Sequence, residues 1–158
     1  MITFERGTSK FNFRVAGVAI HNNKILIHMY EGFDFWALPG GRAELQETTI
    51  ETIKREMKEV LNEDITVDRL LWCCESFYEH ENKDFHEICF YYLIKFNDDS
   101  PLLNIEDEFE TRELDNRKLK FKWVAIDELD DLKLYPSFIK KKVNELDNHI
   151  EHIITYGD

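Results

Sequence analysis

The stretch that decides the fold runs from Phe33 to Ile65, FDFWALPGGRAELQETTIETIKREMKEVLNEDI. Its second half, from Thr48 or Thr49 to Leu61, places Ile50, Ile53, Met57, Val60 and Leu61 at the three-to-four-residue spacing of an amphipathic helix. Asn62 is a suitable stop, because asparagine tolerates the left-handed conformation that ends helices. At about 100° per residue, Glu56 and Glu59 fall together beside the apolar stripe, and Glu63 joins them if the helix continues. Neighbouring carboxylates on a helix repel unless a cation sits between them, and Arg55 is placed to pair with either Glu56 or Glu59. For the helix alone a solvated acidic face is the favoured reading. The Pro39-Gly40-Gly41-Arg42 turn just before it alters the reading, since glycine lets backbone approach a ligand closely. A glycine carbonyl beside helical glutamates suits a hard cation such as magnesium, which takes oxygen ligands and shares its shell with water and substrate phosphates.

Outward from this stretch, Phe13–Ile20 and Lys24–Tyr30 read as two strands joined at His21-Asn22-Asn23. Ile65–His80 and His86–Phe96, rich in β-branched and aromatic residues, form a second and longer hairpin pattern across a polar turn at residues 81–84. Asn97–Arg117 is acidic and weakly periodic, Leu119–Ile126 alternates as a strand, and Tyr135–Ile153 reads as a closing helix with Pro136 in its first turn. Strands interspersed with two helices predict one α/β or α+β domain over residues 1–158, with helices covering a mixed sheet.

With 32 acids against 20 bases the net charge is -12, which repels a phosphate backbone, so no nucleic-acid partner is expected. The Lys140–Lys142 run reads as a solvated helix face. No apolar run approaches the roughly 18 residues of a membrane span, and the start MITFERGTSKF lacks a signal-peptide pattern, so a cytoplasmic location without membrane contact is expected. Cys73, Cys74 and Cys89 have neither zinc-site nor disulfide spacing and read as buried thiols.

The spacing Gly41, five residues, Glu47, seven residues, then Arg55-Glu56-Met57-Lys58-Glu59 resembles the Nudix box, G-x5-E-x7-R-E-U-x-E-E-x-G-U with U apolar. The box runs from Gly41 to Glu63, and FWALPGG with the flanking hairpins extends the likeness over most of the chain. The resemblance implies an α/β/α sandwich with a mixed β-sheet and Mg2+- or Mn2+-dependent cleavage of the diphosphate linkage in a nucleoside diphosphate joined to a group X. It implies a metal site of Gly41, Glu56 and Glu59, with Arg55 orienting Glu56 and Glu47 bracing the loop-helix junction.

Two positions depart: Val60 replaces a glutamate that is commonly a metal ligand in the family, and Asn62 replaces a glycine. Three outcomes stay open at Val60. Water and substrate phosphate fill the shell, or another acid substitutes (Glu63, Glu75, Glu79, Glu87, Glu108 or Glu110), or the protein binds a nucleotide with little or no hydrolysis. Phe33, Phe35 and Trp36 are candidates to stack on a base, Arg42 to reach a phosphate, and His86 to touch ligand, each weighed against ordinary packing or exposure. His149 and His152 lack metal-site spacing, and the sequence leaves homodimerisation open.

Overall fold

The helix forms where its periodicity predicts. In the computed structural model, which describes residues 1–158, α1 spans Thr49–Leu61. Thr48 accepts from the Glu51 amide while Glu51 reaches back to the Thr48 amide, so two end donors are satisfied reciprocally. Asn62 closes the helix at φ 56°, its N–H donating to the Lys58 carbonyl, so the replacement of glycine preserves the cap. Ile53, Met57 and Leu61 are buried, and full burial of such a side chain stabilises by about 1.5–3 kcal/mol. Ile50, counted in the apolar pattern, is exposed in the first turn.

The strand patterns at Lys24–Tyr30 and Ile65–His80 are met as read, whereas those at Phe13–Ile20 and His86–Phe96 lie within longer strands. In chain order the strands are β1 Thr3–Arg6, β2 Ser9–His21, β3 Lys24–Tyr30, β4 Gly40–Arg42, β5 Ile65–His80, β6 Lys83–Phe96, β7 Phe109–Arg112, β8 Lys118–Ala125 and β9 Glu151–Tyr156. The β2–β3 and β5–β6 turns place Asn22-Asn23 and Glu81-Asn82 at positive φ, the conformation whose twist matches a two-residue hairpin. The path across the sheet is β7-β8-β3-β2-β6-β5-β9, with β1 and β4 paired to β2. Parallel pairing of β2 with β6 and of β5 with β9 makes the sheet mixed.

β2 and β3 pair only at Ile20–Ile25 and His21–Lys24, then diverge. The chain ahead of α1 fills the gap: Ala37 bridges His28, and β4 pairs with Arg14–Ala16. Gly40 is required there because a Cβ would run into the Val15 carbonyl and the Ala16 backbone. One core lies between the sheet and α1, around Val15, Ile53, Met57 and Tyr92. The other, around Leu38, Trp72 and Tyr91, is covered by a 3-10 helix over Ile126–Asp131 and by α2, Phe138–Lys142. The fold is thus α+β, a large mixed sheet with few helices.

The closing helix over Tyr135–Ile153 is not found. Helical spacing at Phe138, Ile139, Val143 and Leu146 supports only α2, after which polar residues turn the chain. Beyond them Glu151–Tyr156 alternates exposed with partly covered residues, and its isoleucines, threonine and tyrosine favour an edge strand on β5. The acidic stretch after Asn97 also contains structure, a 3-10 turn at Pro101–Asn104 and β7. Cys74 and Cys89 are buried free thiols, whereas Cys73 is half-buried.

Candidate active site

Where β2 and β3 part, a cleft of about 890 Å³ opens between the polar side of α1, the loop ahead of it, the ends of β5 and β6, and the turn between β7 and β8. Arg55 is the hub of its acidic end. Its Nε donates to Glu47 Oε2 at 2.7 Å and its Nη2 to Glu47 Oε1 at 3.0 Å, a two-pronged pair that a lysine could not make. Nη1 donates to Glu56 Oε1 at 3.0 Å and to Glu59 Oε2 at 3.2 Å, and Nη2 also reaches the Arg42 carbonyl at 3.0 Å. One guanidinium therefore joins the loop to three glutamates of the box.

Glu47 accepts further from Thr52 Oγ1 at 2.7 Å and from the Glu44 amide at 3.1 Å. The Arg55 guanidinium, aided by these donors and opposed by burial, holds the Glu47 carboxyl down at about 2. Glu56 shifts the other way: its side chain is 13% exposed, and burial, the largest influence, raises its pKa against the pull of Arg55, with Glu59 and Glu113 pushing further upward. Gly41 matters sterically here, since a Cβ on it would occupy the space of the Glu56 carboxylate. It pairs with Val15 in the β4–β2 ladder.

Val60 lines the cleft beside these acids and packs at the margin of the α1 core. The acid facing the cluster from outside the helix is Glu113, in the β7–β8 turn, which the sequence reading passed over in favour of Glu108 and Glu110. Its Oε1 accepts from the Tyr30 hydroxyl at 2.6 Å, its Oε2 from Arg117 Nη2 at 3.0 Å, and Arg117 lies over the Tyr30 ring. A carboxylate held on the cleft wall by two donors is preorganised, and its charge reaches Glu56. The signal was a strand pattern in FETRE followed by Asp115-Asn116, a turn pattern, inside a stretch read as loop.

The other candidates are elsewhere. Glu63 stands at the box's final apolar position, a third departure beside Val60 and Asn62, and accepts from Ser100 Oγ at 2.7 Å, outside the cluster. Glu75 pairs with His152 at 2.6 Å, Glu108 faces Lys120, and Glu110 is exposed. Glu79 and Glu87 line the cleft, Glu79 exposed on β5 and Glu87 in the β6 wall. Phe33, Phe35 and Arg42 also line it. Trp36 does not: it is buried in the core beneath Lys122, because adjacent residues of an extended segment point to opposite sides. His86 is likewise outside, sandwiched between Phe11 and Phe77 in an aromatic row that continues to Phe4 and Tyr156 across the opposite sheet face.

Glu56 and Glu59 with the loop backbone offer oxygen donors of the kind a hard divalent cation takes, and Glu113 faces them from across the cleft, the three carboxylates not all lying within 4.8 Å of one another. A separate exposed group, Asp147, His149 and Glu151, lies near α2, and Lys142 already occupies Glu151 at 2.6 Å.

The NUDIX domain profile matches residues 11–145, and the chain belongs to the Nudix hydrolase family. Among curated proteins none matches the sequence significantly. A UDP-X diphosphatase crystal structure is similar at 19% identity and TM-score 0.57, covering 90% of this chain and 66% of its own, so this chain spans just under two thirds of that protein. The MutT protein from Bacillus halodurans aligns at 20% identity and TM-score 0.58, covering 92% of this chain and 90% of that one. A Nudix hydrolase from Nitrosomonas europaea aligns at 14% identity and TM-score 0.61, over 92% and 78%. At these identities the structures speak to fold. No helix of the chain is long and apolar enough to cross a membrane.

Proposed function

We propose that the protein is a divalent-metal-dependent hydrolase that splits the diphosphate linkage of a nucleoside diphosphate joined to X. The single observation that carries this reading is the convergence, on one wall of a cleft of about 890 Å³, of the Arg55-held glutamates with Glu113 opposite. Glu56 and Glu59 would hold Mg2+ or Mn2+, and Glu113, across the cleft, would supply the carboxylate that Val60 lacks. A bound divalent ion offsets diphosphate charge and makes water a stronger nucleophile. Arg55 fixes the glutamates in one geometry, and Glu47 holds Arg55. As water oxygen bonds to phosphorus, a glutamate of the cluster accepts its proton, the anhydride P–O bond breaks, and the departing phosphate keeps the electron pair. Arg42, in the cleft wall, would meet phosphate charge.

A panel of nucleoside diphosphate derivatives incubated with Mg2+, with Mn2+ and with chelator tests this. Chelator-sensitive release of nucleoside monophosphate is expected. Silence across the panel by folded protein would instead favour a nucleotide-binding protein with lost hydrolysis, the reading supported by Val60, which presents only methyl groups beside the acids.

A further inference from the structure

The cleft continues away from the acids onto the face of β2 and β6 opposite α1. The parallel register sets Asn12 beside Glu87 and Arg14 beside Cys89, with Ser76 and Tyr78 of β5 on the same face. Glu87 uses one oxygen only: Oε2 accepts from Tyr78 Oη at 3.4 Å and from Asn12 Nδ2 at 3.5 Å, both long. Oε1 takes no hydrogen bond from the protein. The Asn12 amide oxygen lies 2.7 Å from Thr3 Oγ1, whose single proton it shares with the Phe11 carbonyl at 2.9 Å, and its amino group faces Glu87.

Arg14, two residues along β2, is the cationic counterpart. Its Nη2 donates to the Leu38 carbonyl at 2.7 Å, its Nη1 makes only a 3.9 Å contact with Cys89 Sγ, and no carboxylate lies within ion-pair distance. A guanidinium has five N–H donors, so most of Arg14's remain unused. Its charge opposes the burial that pushes the Glu87 carboxyl up. A guanidinium and a carboxyl thus share one face of the sheet, two register positions apart and neither with its hydrogen-bonding capacity filled, in a wall that also carries the aromatic faces of Tyr78 and Phe85.

We propose that Glu87 and Arg14 read the base of the nucleotide, and that the base they select is guanine. Guanine presents two adjacent acceptors, N7 and O6, which match an arginine fork. Continuing round the same edge come two adjacent donors, N1–H and the N2 amino group, which match a carboxylate. Adenine would turn the N1 lone pair toward Glu87, and uracil offers a single N–H between two carbonyls. The inference rests on the cleft taking a nucleotide, and it makes Glu87 a specificity residue remote from the acids that act on phosphate.

The test uses neutral nucleosides with the whole protein in chelator, so that neither metal nor turnover contributes. Guanosine, inosine, adenosine and uridine are titrated and followed by NMR shifts. Guanosine is expected to bind about tenfold more tightly than adenosine or uridine, with inosine, which lacks the amino group, in between. Glu87→Gln should bring the four within about threefold of one another, since an amide replaces one acceptor by a donor. Equal binding, no binding at millimolar concentration, or a guanosine preference kept by folded Glu87→Gln would each overturn the assignment. The wild-type ranking decides alone if the variant does not fold. Guanosine selectivity without hydrolysis of any derivative would sink the hydrolase reading and leave this one, while hydrolysis indifferent to the base would do the reverse.

Discussion

The two ends of the cleft are built in opposite ways. At the acidic end Glu47, Arg55, Glu56 and Glu59 come from one loop and one helix, bound together by a guanidinium that contacts all three acids. At the other end Asn12, Tyr78 and Glu87 come from three strands and meet through long, partly satisfied hydrogen bonds. The first arrangement is preorganised and saturated internally apart from the faces its carboxylates turn to the cleft. The second keeps hydrogen-bonding capacity in reserve, as a surface does that must exchange water for a ligand. Chemistry and recognition should therefore be separable by mutation.

The largest effect is expected from Glu56→Gln. It should reduce turnover by about 10²–10⁴-fold while leaving guanosine binding in chelator unchanged. In metal-free protein the melting temperature should not fall, because an amide still accepts from Arg55 and a buried charge is removed. Loss of nucleoside binding in this variant would show that the two ends are not independent.

Glu47→Gln comes next and acts on stability. Arg55 lowers the Glu47 carboxyl from its ordinary 4.5 to about 2, so the unfolded chain takes up the proton first as the solution is acidified. The stability Glu47 contributes is complete above about pH 5 and is lost as pH falls toward 2. The variant should be less stable by about 2 kcal/mol at neutral pH, with the difference closing across that acid window in denaturant titrations. A difference independent of pH would mean that Glu47 acts by packing.

Legibility follows the same division. The acidic end was readable because its residues recur at helical and loop spacings within one contiguous segment, and α1 with its asparagine cap appeared where periodicity put it. Glu113 was missed because its position depends on β7, a short edge strand inside an acidic stretch whose pairing with β8 no local pattern announces. Glu87 was considered as an acid but not as part of a base-reading pair, since its partners are set by the β2–β6 register. The closing helix failed for a related reason: Ile150, Ile153 and Ile154 fit a helical spacing, and only the open edge of β5 makes residues 151–156 a strand. Trp36 and Phe35, adjacent in sequence, part company because the extended chain sends one into the core and the other to the cleft.

The replacement at position 60 gives a smaller test. Glu113→Gln should weaken Mn2+ binding about tenfold by calorimetry, and Val60→Glu should restore affinity in that background. If Glu113→Gln binds Mn2+ as the wild type does, Glu113 merely braces Tyr30 and Arg117, and the cluster on α1 suffices.

The smallest effect is expected from Phe35→Ala. Phe35 packs with Phe33 at 5.2 Å, with Tyr135 at 5.6 Å and with His80 at 6.0 Å between ring centroids, so the wall survives its removal. One lost stacking face is worth about 1 kcal/mol, which predicts a roughly fivefold rise in KM with kcat unchanged. The same truncation at Trp36 should unfold part of the core, because a buried tryptophan replaced by alanine costs about 3–5 kcal/mol. A fall in kcat for Phe35→Ala would instead place this aromatic wall in the positioning of the reacting phosphate, and the clean separation of the two ends would have to be given up.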